Sequence, residues 1–109
     1  MSLEYGRGKL KFEDGASTNG DSNALRVNGW HNLTVQVWGN TGATTTIKGR
    51  LDENAPWETW QTFTSANGKV VITGTYVEIM ATISSYVSGG PVHVAVAGVD
   101  LNSLLRSFN

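Results

Sequence analysis

A chain of 109 residues, 39% of them hydrophobic, has room for one small core, since single domains cluster at about 100–150 residues. Its net charge of −1 lacks the excess of Lys and Arg that binding to nucleic acid or to an anionic membrane surface requires. The absence of Cys excludes disulfides, thiolate zinc sites and cysteine nucleophiles. We therefore expect a domain that binds neither nucleic acid nor a membrane, and that is stabilised by packing or by assembly.

The first 29 residues differ from the rest in composition. They are rich in Gly, Asp, Asn and Ser, and only an alternation of apolar and charged residues around Leu10 indicates one short strand. We predict an extended N-terminal arm over residues 1–29, which is either disordered, as termini commonly are, or paired with a neighbouring subunit. Arg7, Lys9 and Lys11 form a small basic stripe on this arm, which either contacts an acidic partner surface or is simply solvated.

Residues 30–100 alternate between runs of strand-forming residues and short turn sequences. Val, Ile, Thr, Tyr and Trp dominate the runs, and Gly, Asn, Asp and Pro separate them. Because an open sheet would leave one face and two edges in water, we predict an all-β domain: an antiparallel β-sandwich or small jelly-roll-like barrel of six to eight strands. The predicted strands are residues 32–38, 44–51, 59–65, 69–72, 76–84 and 92–99.

Three turn sequences predict hairpins between successive strands. They are Gly-Asn-Thr-Gly at residues 39–42, Asn-Gly at residues 67–68 and Ser-Gly-Gly-Pro at residues 88–91. Beyond residue 100, the apolar residues of the segment 101–109 have helical spacing behind Asp100 as an N-cap. We predict a short helix or an extended tail there.

Four Trp residues are many for a chain of this length, and exposed aromatic side chains mark binding surfaces. Trp38 and Trp60 lie within or beside predicted strands, where core packing is the first explanation. Trp30 and Trp57 lie outside the strands and are better interface candidates. With His31 beside Trp30, the candidates for binding a partner or a glycan are Trp30, His31, Trp57 and Trp60.

Few side chains have the spacing that catalysis or metal binding requires. His31 and His93 are the only His residues, and two His without Cys fall short of the three or four ligands of a zinc site. The acidic loop around Asp52 contains oxygen ligands for calcium, but its spacing matches no EF-hand loop, which favours a solvated loop. The Ser and Thr residues form no nucleophile motif. We expect no enzyme, no metal and no cofactor.

Three runs between residues 44 and 99 follow a recurring pattern. Ile-Lys-Gly-Arg-Leu-Asp occupies residues 47–52 and is followed by Trp57, Gly-Thr-Tyr-Val-Glu-Ile occupies residues 74–79, and Ser-Gly-Gly-Pro-Val-His-Val occupies residues 88–94. This pattern resembles that of small β-rich virion proteins of tailed bacteriophages. The resemblance implies that Trp57, Tyr76 and the turn at Gly89 and Gly90 serve mainly the fold.

The resemblance also implies a structural role in a phage particle. It predicts a capsid decoration protein, or a head or tail fibre module, that is made in the host cytoplasm and docks on the virion as an oligomer, with a homotrimer favoured. Its partners would be further copies of the chain and a capsid or other virion protein. A small core that neighbouring subunits complete agrees with this role. The alternative is a carbohydrate-binding module, or a receptor-binding fibre domain, that uses exposed Trp residues.

Overall fold

The computed structural model describes residues 5–12, 15–28, 30–73 and 76–100. Nine β-strands occupy these residues and form two antiparallel sheets, which confirms the predicted all-β sandwich. The predicted C-terminal helix or tail lies outside the described residues. The strands are β1 (Tyr5–Leu10), β2 (Gly20–Asp21), β3 (Leu25–Arg26), β4 (Trp30–Trp38), β5 (Gly42–Arg50), β6 (Glu58–Thr64), β7 (Gly68–Ile72), β8 (Glu78–Ser88) and β9 (His93–Asp100).

The order of the strands is that of a jelly roll. The first sheet has four strands in the order β1-β9-β4-β7, and the second has the order β2-β8-β5-β6. The short strand β3 pairs with β8 on the same edge as β2, so that β2 and β3 act as one interrupted edge strand. Counted in this way, eight strands form two facing sheets joined by Greek-key connections, as in jelly rolls.

The three hairpin predictions are wrong, because each turn carries the chain from one sheet to the other. β4 and β9 belong to the four-stranded sheet, whereas β5 and β8 belong to the five-stranded sheet. The turn between β6 and β7 likewise joins strands of different sheets. A tight turn fixes a reversal of chain direction but not the sheet that the next strand joins. Crossing over buries the apolar faces of both strands, as the fully buried Val35 of β4 and Ile47 of β5 show.

The described part of residues 1–29 belongs to the sandwich and is not a separate arm. β1 pairs with β9 along six residues, from Tyr5 opposite Val99 to Leu10 opposite Val94. β2 and β3 pair with β8 on the opposite sheet. The Gly-rich composition that predicted an arm has a different reason here, since Gly residues of β1 leave room for the side chains that pack over them.

Alternation along the strands separates the core from the outer faces. On β4, Leu33, Val35 and Val37 are buried between the sheets, whereas Thr34 and Gln36 lie on the outer face. The inner faces of the other strands complete a core whose fully buried apolar residues include Val27, Leu33, Ile47, Ile79, Ile83, Val92 and Val94. The outer face of the four-stranded sheet is therefore formed by side chains that do not belong to this core.

Candidate binding groove

A shallow groove crosses the outer face of the four-stranded sheet. Its floor is the central strand β9, where Ala95 and Ala97 point away from the core and are half-buried. The groove has a volume of about 440 Å³, which falls within the range of sites that bind small ligands or short segments. Its walls are formed by Arg7 and Lys9 of β1 and by Thr34 and Gln36 of β4.

The register of the strands explains why the groove forms at this place. Ala97 lies between Arg7 and Thr34 in one rung of the sheet, and Ala95 lies beside Lys9 in the next rung on the same face. Neighbouring strands lie about 4.8 Å apart. Two successive small side chains on the central strand therefore leave a trough roughly 10 Å wide between the longer side chains of its neighbours.

An aromatic pair occupies the next rung, beyond one end of the groove. Trp38 of β4 lies opposite His93 of β9, and their rings stack with centroids 5.0 Å apart and planes 20° apart. The Nζ atom of Lys9 lies 5.8 Å from the centroid of the Trp38 ring. A cation over an aromatic face adds about 0.5–1 kcal/mol at an exposed site. Lys9 is thus held at the boundary between the groove and the aromatic pair.

The side chains that line the groove carry only positive charge. Arg7 and Lys9 are exposed, and no Asp or Glu is among the lining residues. Lys69 of β7, opposite Gln36, adds a further exposed cation beyond the wall. Apart from Asp100 at the end of β9, the acidic residues in the described part of the chain belong to the other sheet or to the loop after β5: Asp21, Asp52, Glu53, Glu58 and Glu78. The groove is therefore suited to a negatively charged partner.

The basic stripe predicted from the sequence is divided by the fold. Arg7 and Lys9 both line the groove, two residues apart on β1. Lys11 follows the end of β1, and its backbone N–H donates a hydrogen bond of 2.8 Å to the Oδ1 atom of Asn23. Two of the three predicted basic residues thus line the same groove. The strand that carries them pairs with β9 of the same chain and not with a neighbouring subunit.

The Trp residues predicted to bind a partner or a glycan do not form a common platform. Trp30 packs over Gly6, where an added Cβ would lie 2.0 Å from the ring. Trp60 packs over Gly49 in the same way and meets Tyr76 edge-on, with ring centroids 4.4 Å apart. Both Trp side chains are partly buried against the core. Their main contacts are therefore within the fold.

Trp57 lies away from the groove, whereas His31 lies opposite Val99 of β9, two residues beyond Ala97 on the sheet that carries the groove, without lining it. The guanidinium of Arg50 lies 4.1 Å from the centroid of the Trp57 ring and covers one of its faces. Arg50 also donates two hydrogen bonds to Oε1 of Glu78, at 3.0 Å from Nε and 2.7 Å from Nη2. His31 is half-buried in β4 next to Trp30.

Sequence reasoning missed Trp38 and His93, which are far apart in the chain. Each lies on the outer face of its strand, because Trp38 follows the alternation of Thr34 and Gln36, and His93 alternates with the buried Val92 and Val94. The alternation in the sequence was thus sufficient to place each ring on the outer face of its strand. The pairing of β4 with β9, which places the two rings in contact, could not be predicted from that alternation.

The acidic loop after β5 is held by its own hydrogen bonds and an ion pair. The backbone N–H of Asn54 donates to Oδ1 of Asp52 at 2.8 Å, and Arg26 forms an exposed ion pair with Glu53. Among the residues with described positions, no group of three or more His, Cys, Asp or Glu lies close enough to hold a metal ion. In the same residues, no helix is long and apolar enough to cross a membrane.

Strand order and groove define the chain as a jelly-roll β-sandwich with a basic outer face. The fold is similar to that of the SPBc2 prophage-derived protein YomS, with a TM-score of 0.64 and 17% identity over 91% of this chain and 97% of that chain. A weaker similarity, with a TM-score of 0.37 and 13% identity, links 92% of this chain to 29% of the capsular polysaccharide assembling protein CapF from Staphylococcus aureus. The sequence matches no protein-family model and no curated protein. A prophage-derived protein thus shares this fold over nearly its whole length.

Proposed function

We propose that the chain is a structural protein of a bacteriophage particle, and that it decorates the capsid by binding its surface as an oligomer. The observation that carries the proposal is the fold shared with a prophage-derived protein over 91% of this chain and 97% of the other. The two chains therefore correspond as whole domains. The sequence pattern of residues 44–99, which resembles that of small virion proteins, points independently to the same kind of protein.

The outer faces of the sandwich support a role in assembly. The outer face of the five-stranded sheet carries rows of short side chains in register, with Thr62, Thr46 and Thr82 side by side on β6, β5 and β8. Short hydroxyl side chains lose little conformational entropy when they are covered. The opposite face carries the basic groove. Two outer faces of different character allow one to contact further copies, with a homotrimer favoured, while the other contacts the capsid.

The composition of purified particles tests this proposal directly. Particles of the phage that encodes the chain are banded on a density gradient and analysed for the chain by quantitative mass spectrometry. We expect the chain at a constant copy number per capsid, and we expect purified protein to bind capsids made without it. Particles of an unrelated phage serve as the control. A chain that is abundant in the lysate but absent from banded particles would contradict the proposal.

Glycan binding is the second candidate, and the Trp38–His93 pair is the observation that favours it. An aromatic ring at the end of a groove, next to the side-chain amide of Gln36, combines a stacking surface with a hydrogen-bonding group, as sugar subsites do. A glycan array with the parent chain, Trp38→Ala and Trp57→Ala tests it. Glycan binding in the groove predicts that Trp38→Ala abolishes binding and that Trp57→Ala preserves it.

A further inference from the structure

We propose that the groove on the four-stranded sheet binds an extended acidic segment of a partner protein, with two carboxylates that are two residues apart. The inference rests on the proposed function, because it gives the chemistry of the segment through which a virion partner would be bound. It is carried by the spacing of the two wall cations, by the shape of the floor and by the charge of the lining side chains.

The spacing of Arg7 and Lys9 sets the spacing of the carboxylates. These residues alternate on β1, both are exposed, and both line the same wall. Alternate residues on one face of a strand are about 6.8 Å apart. In an extended peptide the side chains at positions i and i+2 have the same separation. A segment of the form Glu-x-Glu running along the groove therefore places one carboxylate against each cation, with charge-assisted hydrogen bonds.

The floor of the groove favours side-chain recognition rather than addition of a strand. The backbone of β9 at Ala95 and Ala97 is already paired with β1 on one side and with β4 on the other. A bound segment therefore lies across the outer face, with its chain on the methyl groups of the floor. Thr34 and Gln36 on the opposite wall carry side-chain groups that can hydrogen-bond its peptide groups.

The amount of charge favours a peptide over a nucleic acid. Two cations line the groove and a third, Lys69, lies beyond its wall, in a chain whose net charge is −1. Nucleic-acid binding depends on neutralising several phosphates in a row, which requires a longer basic track. A short segment with two carboxylates matches the two cations and the apolar floor of the groove.

Titration of labelled protein with synthetic peptides, followed by NMR, tests the inference. The probe is acetylated Gly-Ser-Glu-Thr-Glu-Ser-Gly amide, and the matched controls carry Gln-Thr-Gln or Glu-Thr-Ser-Glu at its centre. We expect shift changes confined to β1, β9 and β4, and tighter binding of the Glu-Thr-Glu peptide than of either control. The affinity should fall about threefold for Arg7→Gln or Lys9→Gln and about tenfold for the double variant, in line with exposed ion pairs.

Two further variants separate the effect of charge from that of shape. Lys48→Gln removes a cation from β5 in the other sheet and should leave peptide binding unchanged. Ala95→Leu fills the groove without altering its charge and should weaken binding of all three peptides. The NMR spectrum of each variant without peptide reports whether its fold is intact.

Three results would overturn the inference. The first is equal binding of the Glu-Thr-Glu and Gln-Thr-Gln peptides, and the second is unchanged affinity in the folded Arg7→Gln, Lys9→Gln double variant. Tighter binding of an oligosaccharide of uronic acids than of any peptide is the third, since it would make the ligand a glycan. A chain that is present in particles but fails these titrations would keep the proposed function and lose the inference. Peptide binding by a chain that is absent from particles would keep the inference about the groove and contradict the proposed function.

Discussion

Thr45 donates a hydrogen bond from its hydroxyl to the Oδ1 atom of Asn40 at 2.8 Å, and both residues are completely buried. The Nδ2 atom of Asn40 donates in turn to the backbone carbonyls of Phe63 and Ala66, each at 2.9 Å. The backbone N–H of Asn40 donates to Oδ1 of Asn67 at 3.0 Å. One buried amide thus joins two of the turns at which the chain crosses between the sheets, and its bond with Thr45 pairs two polar side chains that are completely buried.

Asn40→Ala should lower the free energy of unfolding more than Thr45→Val does. Asn40→Ala removes the donor to two carbonyls and the acceptor of a buried hydroxyl, and we expect a loss of about 2–4 kcal/mol. Thr45→Val keeps the volume and leaves one amide oxygen without its donor, for a loss of about 1–2 kcal/mol. Urea unfolding of both variants measures the difference. A larger loss for Thr45→Val would contradict this account of the network.

The strands between residues 30 and 100 were largely predictable, but their pairing was not. Alternation depends on local sequence, so the predicted strand at residues 32–38 is found as Trp30–Trp38. Its earlier start includes a bulge near Asn32, which has a φ of +52°. Which sheet a strand joins depends on packing between distant residues. The same Asn-Gly sequence that predicts a hairpin here supplies Asn67 as an acceptor for the turn at Asn40.

The candidate site was predictable only in part, for the same physical reason. The charges of Arg7 and Lys9 were visible in the sequence, but the strand that carries them had too weak a pattern to be placed in a sheet. Ala95 and Ala97 carry no chemical signal of their own and become a groove floor only between β1 and β4. The shape of the groove depends on residues of three strands, and the register between those strands cannot be read from the sequence.

Gly39→Ala should destabilise the fold much more than Gly15→Ala. Both Gly residues have a positive φ, of +76° and +90°. A Cβ at Gly39 would lie 2.2 Å from the backbone oxygen of Pro91, whereas a Cβ at Gly15 meets nothing within 4 Å. We expect losses of about 3 kcal/mol or more for Gly39→Ala and about 1–2 kcal/mol for Gly15→Ala, where only the backbone strain remains. Thermal and urea unfolding of the two variants provide the comparison, and equal losses would show that the contact with Pro91 is unimportant.

Gly6→Ala should displace the Trp30 ring, whereas Gly8→Ala on the same strand should be tolerated. The added Cβ at Gly6 would lie 2.0 Å from Cε2 of Trp30, but at Gly8 it would meet the flexible end of Leu25 at 2.9 Å. We expect losses of about 2–3 kcal/mol and below about 1 kcal/mol, respectively.

A double-mutant cycle with Trp30→Leu identifies the cause of the Gly6→Ala effect. If the ring is the obstacle, Gly6→Ala should cost less in the Trp30→Leu background than in the parent, because the smaller side chain leaves room for the methyl group. Urea unfolding of the four proteins gives the coupling energy. Strictly additive effects would mean that Gly6 is required for its backbone conformation and not because a side chain there would collide with the Trp30 ring.

The ion pair of Arg50 and Glu78 should respond differently to the loss of each partner. Only 11% of the Glu78 side chain is exposed, and its Oε1 atom accepts both bonds from Arg50. Arg50→Met leaves a buried carboxylate without a cation and also removes the contact with Trp57, so we expect a loss of about 2–3 kcal/mol. Glu78→Gln keeps an acceptor for Arg50, whose long side chain can still reach water, and should lower the free energy of unfolding by about 1 kcal/mol.

The exposed pair of Arg26 and Glu53 is the matched control, and Arg26→Met should change the free energy of unfolding by less than about 0.5 kcal/mol. Urea unfolding at constant salt measures all three variants. If Glu78→Gln proves as damaging as Arg50→Met, burial of the carboxylate is not what gives this pair its importance.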